Sequence, residues 1–339
     1  ELGIHNPEGL FAPISILNQI RRDMVDALLK QKKAAFSEQM DAIRRNMEPP
    51  AAAPSQGGEA SWAIKVDRLE YLQAMPPEAL AEMDEIVIDI SRPSVKELLD
   101  LLPGLRRAMG RDGIRLALPL LARSRDEEAL REKIARLRGA GWSQWEVSNL
   151  YGWGMLGLDP ASGLPDHYPL SVSADWPVYS MNRLAVEQIL EMGAERVALS
   201  PEDGFDNMKR LLQAHAEACG VIVYQDTPLF ISESCALANL SGGCPGKAHC
   251  SFVSMEMASA KGENIEAVNQ DCRTIALNKK AFCIASSVPE LKKAGARRFR
   301  ADFAHRAYRP DAVPDLWRLL RQGKKPTFTH SANFETALA

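Results

Sequence analysis

Five of the six cysteines of this 339-residue chain, Cys235, Cys244, Cys250, Cys272 and Cys283, fall in one stretch and are separated by 8, 5, 21 and 10 residues. Clustered thiols in a chain without a secretion signal point to metal binding rather than disulfides. The glycine-bearing segment LSGGCPGKAHC lets the backbone fold tightly around a centre. Zinc ribbons carry paired CxxC knuckles, which are missing here, whereas the thiolates of an iron–sulfur cluster can come from irregular spacings. Cys235, Cys244, Cys250 and Cys272 are the expected ligands. Cys283 sits in the apolar run AFCIA and is the substitute. The sixth, Cys219 in AEACGV, reads as core packing at the end of a helix, because free cysteine behaves as a small buried hydrophobe.

Other chemistry is thinner. The sequence has no HExxH helix and no GxSxG elbow, and its six histidines are scattered. His249 adjoins Cys250, but sequence adjacency does not create the geometry of an activated thiol, and a solvated loop residue is the simpler reading. GWGMLG at 152–157 matches the glycine spacing of a dinucleotide loop without its following helix start or acid, and reads as a tight loop. Polar groups near strand ends are the remaining candidates: Glu202, Arg300 and Asp302 for catalysis, and Asn149, Asp175, Asn182 and Asp226 for substrate binding. A helix cap or a solvated ion pair is the alternative role for each. Arg300 and Asp302 alternate with Phe299, Ala301 and Phe303, so they should share one strand face and, if that face points inward, pair. The basic runs Arg106, Arg107, Arg111 and Lys292, Lys293, Arg297, Arg298 read as solvated helix faces with an option on phosphate.

Eight β-type runs can carry these groups: 62–66, 85–90, 114–119, 142–148, 170–174, 196–200, 221–225 and 298–303. Between them lie helix-period segments, as at 95–109, 126–138, 182–192 and 207–219, several closed by glycine. Such alternation implies an α/β fold, and a count of eight predicts a (β/α)8 TIM-type barrel with a cysteine-rich insertion at 226–297; a doubly wound open sheet is the alternative. Residues 1–48 are expected to be a helical extension, with Ile16, Leu17, Ile20, Met24, Leu28 and Phe36 at helical spacing, and 49–60 a proline-rich linker. The barrel should occupy 61–325 and a tail 326–339. A net charge of −3 gives no global attraction to nucleic acid. No apolar run could span a bilayer and no signal peptide opens the chain, so a cytoplasmic protein without a membrane partner is expected. Because it starts at Glu1, the chain is expected to be part of a longer protein, whose upstream domain would be a partner.

The stretch YPLSVSADWPVYSMNRLAVEQILEMGAERVALSPED at 168–203, YQDTPLFISESCAL with CPGKAHC at 224–250, LKKAGARRFRADF at 291–303 and the opening GLFAPISILNQIRRD at 9–23 resemble the C-terminal region of long peptidase U32 family proteins. The resemblance implies a barrel and a four-iron four-sulfur cluster. It also implies two kinds of activity: collagenase-like proteolysis, for which the family is named, and help in hydroxylating RNA bases or the ubiquinone ring. In the hydroxylation members the last ligand lies in a segment like LNKKAFCIAS, which nominates Cys283, while Cys272 in NQDCRT matches peptidase relatives. An iron–sulfur enzyme domain acting on a bulky substrate, such as an RNA base, is the first expectation. A peptidase acting on peptide, or a domain merely stapled by its cluster, are the rivals.

Overall fold

A computed structural model describes residues 7–9, 11, 13–46, 59–159, 161, 169–246, 254–258, 264–270 and 272–335. The chain divides into two compact units, residues 1–52 and 53–339. The first contains α1 (Ile14–Asn46), one continuous helix of 33 residues. Its apolar stripe is exposed, from 49% at Ile20 to 67% at Met24. Most of the expected linker lies outside the described residues.

The second unit runs β1 (Ser61–Val66), α2 (Leu69–Gln73), α3 (Pro77–Ala81), β2 (Glu85–Asp89), α4 (Val95–Met109), β3 (Ile114–Ala117), α5 (Ser124–Gly139), β4 (Gln144–Val147), α6 (Tyr151–Met155), β5 (Ser171–Ala174), α7 (Arg183–Glu191), β6 (Arg196–Leu199), α8 (Phe205–His215) and β7 (Cys219–Gln225). An insertion follows, with β8 (Pro228–Ser232), α9 (Ala236–Leu240), β9 (Ser254–Ala258), β10 (Asn264–Gln270), β11 (Arg273–Asn278) and β12 (Ala281–Cys283). The chain ends with α10 (Val288–Ala294), β13 (Arg298–Phe303), α11 (Val313–Arg321) and β14 (Thr329–His330).

Strands β1 to β7 pair in parallel in chain order, and β13 pairs in parallel with both β7 and β1. That closes an eight-stranded barrel with helices between the strands, the expected (β/α)8 architecture. Runs such as Ile86, Val87 and Ile88 are buried on both faces, one toward the barrel axis and one toward the helices. Local signals agree with this packing. A capping box between Ser94 and Glu97 starts α4, and Gly110, at φ 65°, ends it.

Two local expectations are corrected, and the insertion has a sheet of its own. Cys219 opens β7 instead of closing a helix, although it is buried as expected. The GWGMLG segment forms the helical turn α6, with Trp153 fully buried and its indole Nε1 donating to the Met192 carbonyl at 2.9 Å. The insertion is no plain loop: β8, β11, β10 and β9 form an antiparallel sheet with its own small core of Val268, Ile275 and Leu277.

The two helical glycines of α6 have opposite roles. A Cβ on Gly152 would stand 2.7 Å from Val147 Cγ1, whereas one on Gly154 would meet nothing within 4 Å. Gly152→Ala should cost about 1–3 kcal/mol by overpacking, and Gly154→Ala should stabilise by up to about 1 kcal/mol by relieving helix-interior glycine entropy. Urea melts of the two variants check this. Equal effects would mean that the segment is not packed this way.

Candidate functional site

Inward side chains of the barrel are charged where a TIM barrel usually carries bulky aliphatics. Lys65 from β1 donates to Glu146 on β4 at 2.7 Å and to Asp175, just after β5, at 2.6 Å. Arg300 from β13 reaches Glu146 at 2.6 Å, Asp175 at 2.5 Å and Asp302 at 2.7 Å. Gln225 at the end of β7 donates to the other oxygen of Asp302 at 2.7 Å. All six residues are buried. The alternation along β13 does turn Arg300 and Asp302 inward as a pair, and the structure adds three partners from other strands.

Burial alone would raise the Asp175 carboxyl, but the Arg300 and Lys65 cations outweigh it and hold the group well below the usual carboxylate range. Glu146 moves the other way: burial raises it, the neighbouring Asp175 charge adds to that, and the two cations only partly compensate. Two buried acids of one layer thus have opposite tendencies, the pattern by which a site separates a proton holder from a permanent anion.

A second cluster stands at the C-terminal ends of the strands. Asp226, directly after β7, accepts from Arg306 Nε at 2.7 Å and from the Tyr308 hydroxyl, which lies 3.1 Å from the Tyr224 hydroxyl. Arg306 also pairs with Glu266 of β10 and donates to the Asn278 carbonyl of β11 at 2.6 Å. Burial raises Asp226 above its ordinary value, against the opposing pull of Arg306 and Tyr308.

Against the ionic layer lies a cavity of about 30 Å³ bordered by Lys65, Asp89, Asp175, Asp302 and His305. That is room for a water molecule. His305 has the left-handed φ of 69°, and its Nδ1 is buried without a hydrogen-bond partner. Non-glycine residues in this region store strain that clusters at functional sites. Nothing in the sequence set His305 apart from the other histidines; only its place two residues beyond β13 does.

Burial lowers the His305 pKa, while the Asp67 and Asp89 charges oppose the shift. A depressed histidine stays neutral in the folded chain when its unfolded counterpart takes up a proton below about pH 6.5. Stability is therefore lost as pH falls through that value. His330 is depressed for the same first reason. His305→Gln should flatten, without abolishing, the fall in urea midpoint between about pH 7 and pH 5, each unit of depression being worth about 1.4 kcal/mol. An unchanged slope would mean that His305 is solvated.

The other expected residues are dispersed. Asn182 caps α7, its side chain accepting from Ala185 N at 2.9 Å. Asn149 precedes α6, its carbonyl accepting from Gly152 N. Glu202 lies in the turn after β6, where its carbonyl accepts from Asn333. None of these three touches the buried clusters. Arg106 and Arg111 are held by Asp112 and Asp84 at 2.9 and 2.7 Å.

The insertion is sewn to the loops at the C-terminal ends of the strands. Gln270 donates to Ser91 at 3.2 Å, Arg273 to the Leu121 carbonyl at 3.0 Å, and Arg123 and Arg273 both grip Glu233, at 2.5 and 2.6 Å. Cys272 occupies the two-residue turn between β10 and β11 with φ 59°. Cys235 caps α9, its Sγ accepting from Ala238 N at 3.3 Å. Thr274 Oγ1 joins the two regions, accepting from Ala236 N and donating to the Ser234 carbonyl, both at 2.8 Å. Cys244 is exposed beyond the left-handed Gly242. Cys283, opposite Tyr224 of β7, is 1% exposed in the barrel's main core. Cys250 and His249 lie outside the described residues. Among the described residues no group of three or more His, Cys, Asp or Glu side chains could hold a metal ion, and no helix is long and apolar enough to cross a membrane.

No curated protein matches the chain. Among solved structures, a GH18 chitinase from Cycas revoluta in complex with (GlcNAc)4 aligns over 77% of this chain and 99% of its own at 11% identity and a TM-score of 0.40, too remote to bear on activity. The family model of peptidase family U32 matches residues 114–320, more than half of the chain, from β3 through the cysteine-bearing insertion to α11. The chain belongs to peptidase family U32.

Proposed function

We propose that this chain is an iron–sulfur barrel domain of an enzyme that modifies a bulky substrate, of the RNA-base hydroxylation type. The observation that carries the reading is the anchoring of the cysteine-bearing insertion to the C-terminal loops, beside a mouth where Asp226 and Tyr224 are buried and Tyr308 and Glu266 half-buried. Cys235, Cys244, Cys250 and Cys272 would hold a four-iron four-sulfur cluster, with Cys283 as the substitute. The donor chemistry fits: Thr274 ties the backbone on either side of Cys235 to the strand that follows Cys272, and Cys244 has an exposed thiol. The core position of Cys283 favours Cys272 as the fourth ligand. When bound, such a cluster supplies one-electron chemistry. The protein's own groups would do the rest. Lys65 and Arg300 keep Asp175 ionised, and the Asp226 carboxyl, raised by burial and bonded to Tyr308, can hold a proton at the mouth.

A reducing, cytoplasmic compartment belongs to this reading, because the described cysteines are all free. So does an upstream domain that covers the apolar stripe of α1. Peptidase chemistry is the second reading, favoured by the family's name. Among the described residues, however, no cysteine, serine or threonine side chain is hydrogen-bonded to a histidine. A purely structural role for the cluster is the third.

Anaerobic purification followed by iron and sulfide assay, absorption spectroscopy and extraction of copurifying nucleic acid tests the proposal. Iron and sulfide with bound RNA are expected. A metal-free chain that cleaves gelatin would overturn the reading in favour of the peptidase. A cluster that remains while neither RNA nor peptide is engaged would favour the staple.

A further inference from the structure

The opposite, N-terminal end of the barrel opens into a cavity of about 410 Å³. That volume falls within the usual range for small-molecule pockets. It exists because barrel positions facing it are small: Ala63, Ser173, Ala198 and Gly220 border it where bulky aliphatics normally fill a barrel. A Cβ added to Gly220 would meet nothing nearer than 3.8 Å. The ceiling is the layer containing Glu146 and Arg300.

Most charges around this cavity are already matched. Arg196 pairs with Glu85 at 2.7 Å and with Glu195 at 3.1 Å, and buried Arg115 holds the same two acids, both at 2.7–2.8 Å. Asp84 and Asp112 are held from outside by Arg111 and Arg106. Two charges remain. Arg298 donates through Nε to the Glu217 carbonyl at 3.2 Å, but among the described residues no carboxylate pairs with its guanidinium. The Glu217 carboxylate likewise has no ion-pair partner among them. Deeper in the cavity, the Ser173 hydroxyl is 6% exposed as a residue and has no hydrogen-bond partner. A buried polar group without a partner costs about 1–3 kcal/mol, which a ligand group could recover.

We propose that this cavity is a second binding site, for a small zwitterion of the α-amino-acid type with a short polar side chain. The ligand's carboxylate pairs with Arg298, its ammonium lies against Glu217, and its side chain points to Ser173. The charge inventory selects this class. A dianion such as phosphate would face Glu85, Glu195 and Glu217, and a diamine would face Arg196 and Arg298. Burial and the nearby Arg196 charge lower the Arg298 pKa, and the Glu85, Glu217 and Glu195 charges only partly oppose them, so a carboxylate paired with the guanidinium would add to that opposing pull. The site lies at the end of the barrel away from the cysteine insertion, so its occupancy should not depend on iron.

Calorimetric titration and ligand-observed NMR of the full chain with L-serine, L-asparagine and L-glutamine, and with acetate and methylamine as single-charge controls, test the proposal. At least one amino acid should bind at millimolar concentration, and neither control should displace it. Arg298→Gln should weaken binding by about tenfold or more, the loss expected for a charge-assisted hydrogen-bond pair. Ser173→Val should weaken binding by about tenfold by removing the hydroxyl that meets the ligand's side chain, while the thermal midpoint holds or rises because an unpartnered buried hydroxyl is gone. Absence of binding by all three amino acids, equal binding of acetate alone, or binding that survives both substitutions would overturn it.

Discussion

Arg300→Met is expected to destabilise the barrel by about 3–5 kcal/mol, the usual cost of removing one partner from a buried ionic network. Among the described residues Arg300 is the one side chain that contacts Glu146, Asp175 and Asp302 together. Without it Asp302 keeps only the Gln225 amide, while Lys65 alone must balance Glu146 and Asp175. Methionine fills similar volume but cannot neutralise three buried acids. The effect also has a sign with pH. Asp175 is depressed in the folded chain, so its contribution to stability is present above the unfolded carboxylate pKa of about 3.9 and is lost as pH falls through its folded value. Variant and parent should therefore converge as pH drops below about 4, where the uncompensated acids can take up protons. Arg300→Lys, which keeps the charge and loses the fork, should fall between the two. The readout is the urea midpoint. A loss below about 1 kcal/mol near neutral pH would mean that the layer is solvated like a surface ion pair.

Single serine replacement at Cys235, Cys244 or Cys250 is expected to reduce anaerobically bound iron from about four per chain to near zero. A cluster needs all its thiolates, and serine supplies a harder, far less acidic ligand. The pair Cys272→Ser and Cys283→Ser then identifies the fourth ligand. Loss is expected at Cys272, half-buried in its hairpin turn. Retention is expected at Cys283, where a hydroxyl placed among core residues should instead cost about 1–3 kcal/mol of stability. Loss at Cys283 with retention at Cys272 would exchange the two assignments. Iron retained in any of the first three variants would remove the cluster as proposed.

The barrel was readable because its strands are buried on both faces and its helices on one. Ile86, Val87 and Ile88 announce a strand without reference to anything else in the chain, and the capping box of α4 announces a helix. The two-residue period of β13 likewise puts Arg300 and Asp302 on one face. The insertion sheet was not readable, since β9 alternates exposed and half-buried residues in the segment SMEMA and resembles a polar loop until β10 pairs with it. Cys219 reads as a helix end but opens a strand, because an apolar step beside glycine fits either element.

By itself, then, the sequence determined the alternation of elements, the face shared by Arg300 and Asp302, and the clustering of cysteines after the seventh strand. Only the tertiary structure decided what those groups meet. Lys65 and Glu146 are 81 residues apart, and Glu146 and Arg300 154. They touch because β13 closes on β1 and so brings strands from both ends of the barrel around one axis. The strain at His305 and the emptiness beneath the ionic layer have the same origin. Both are consequences of closure, a long-range event that no local period encodes.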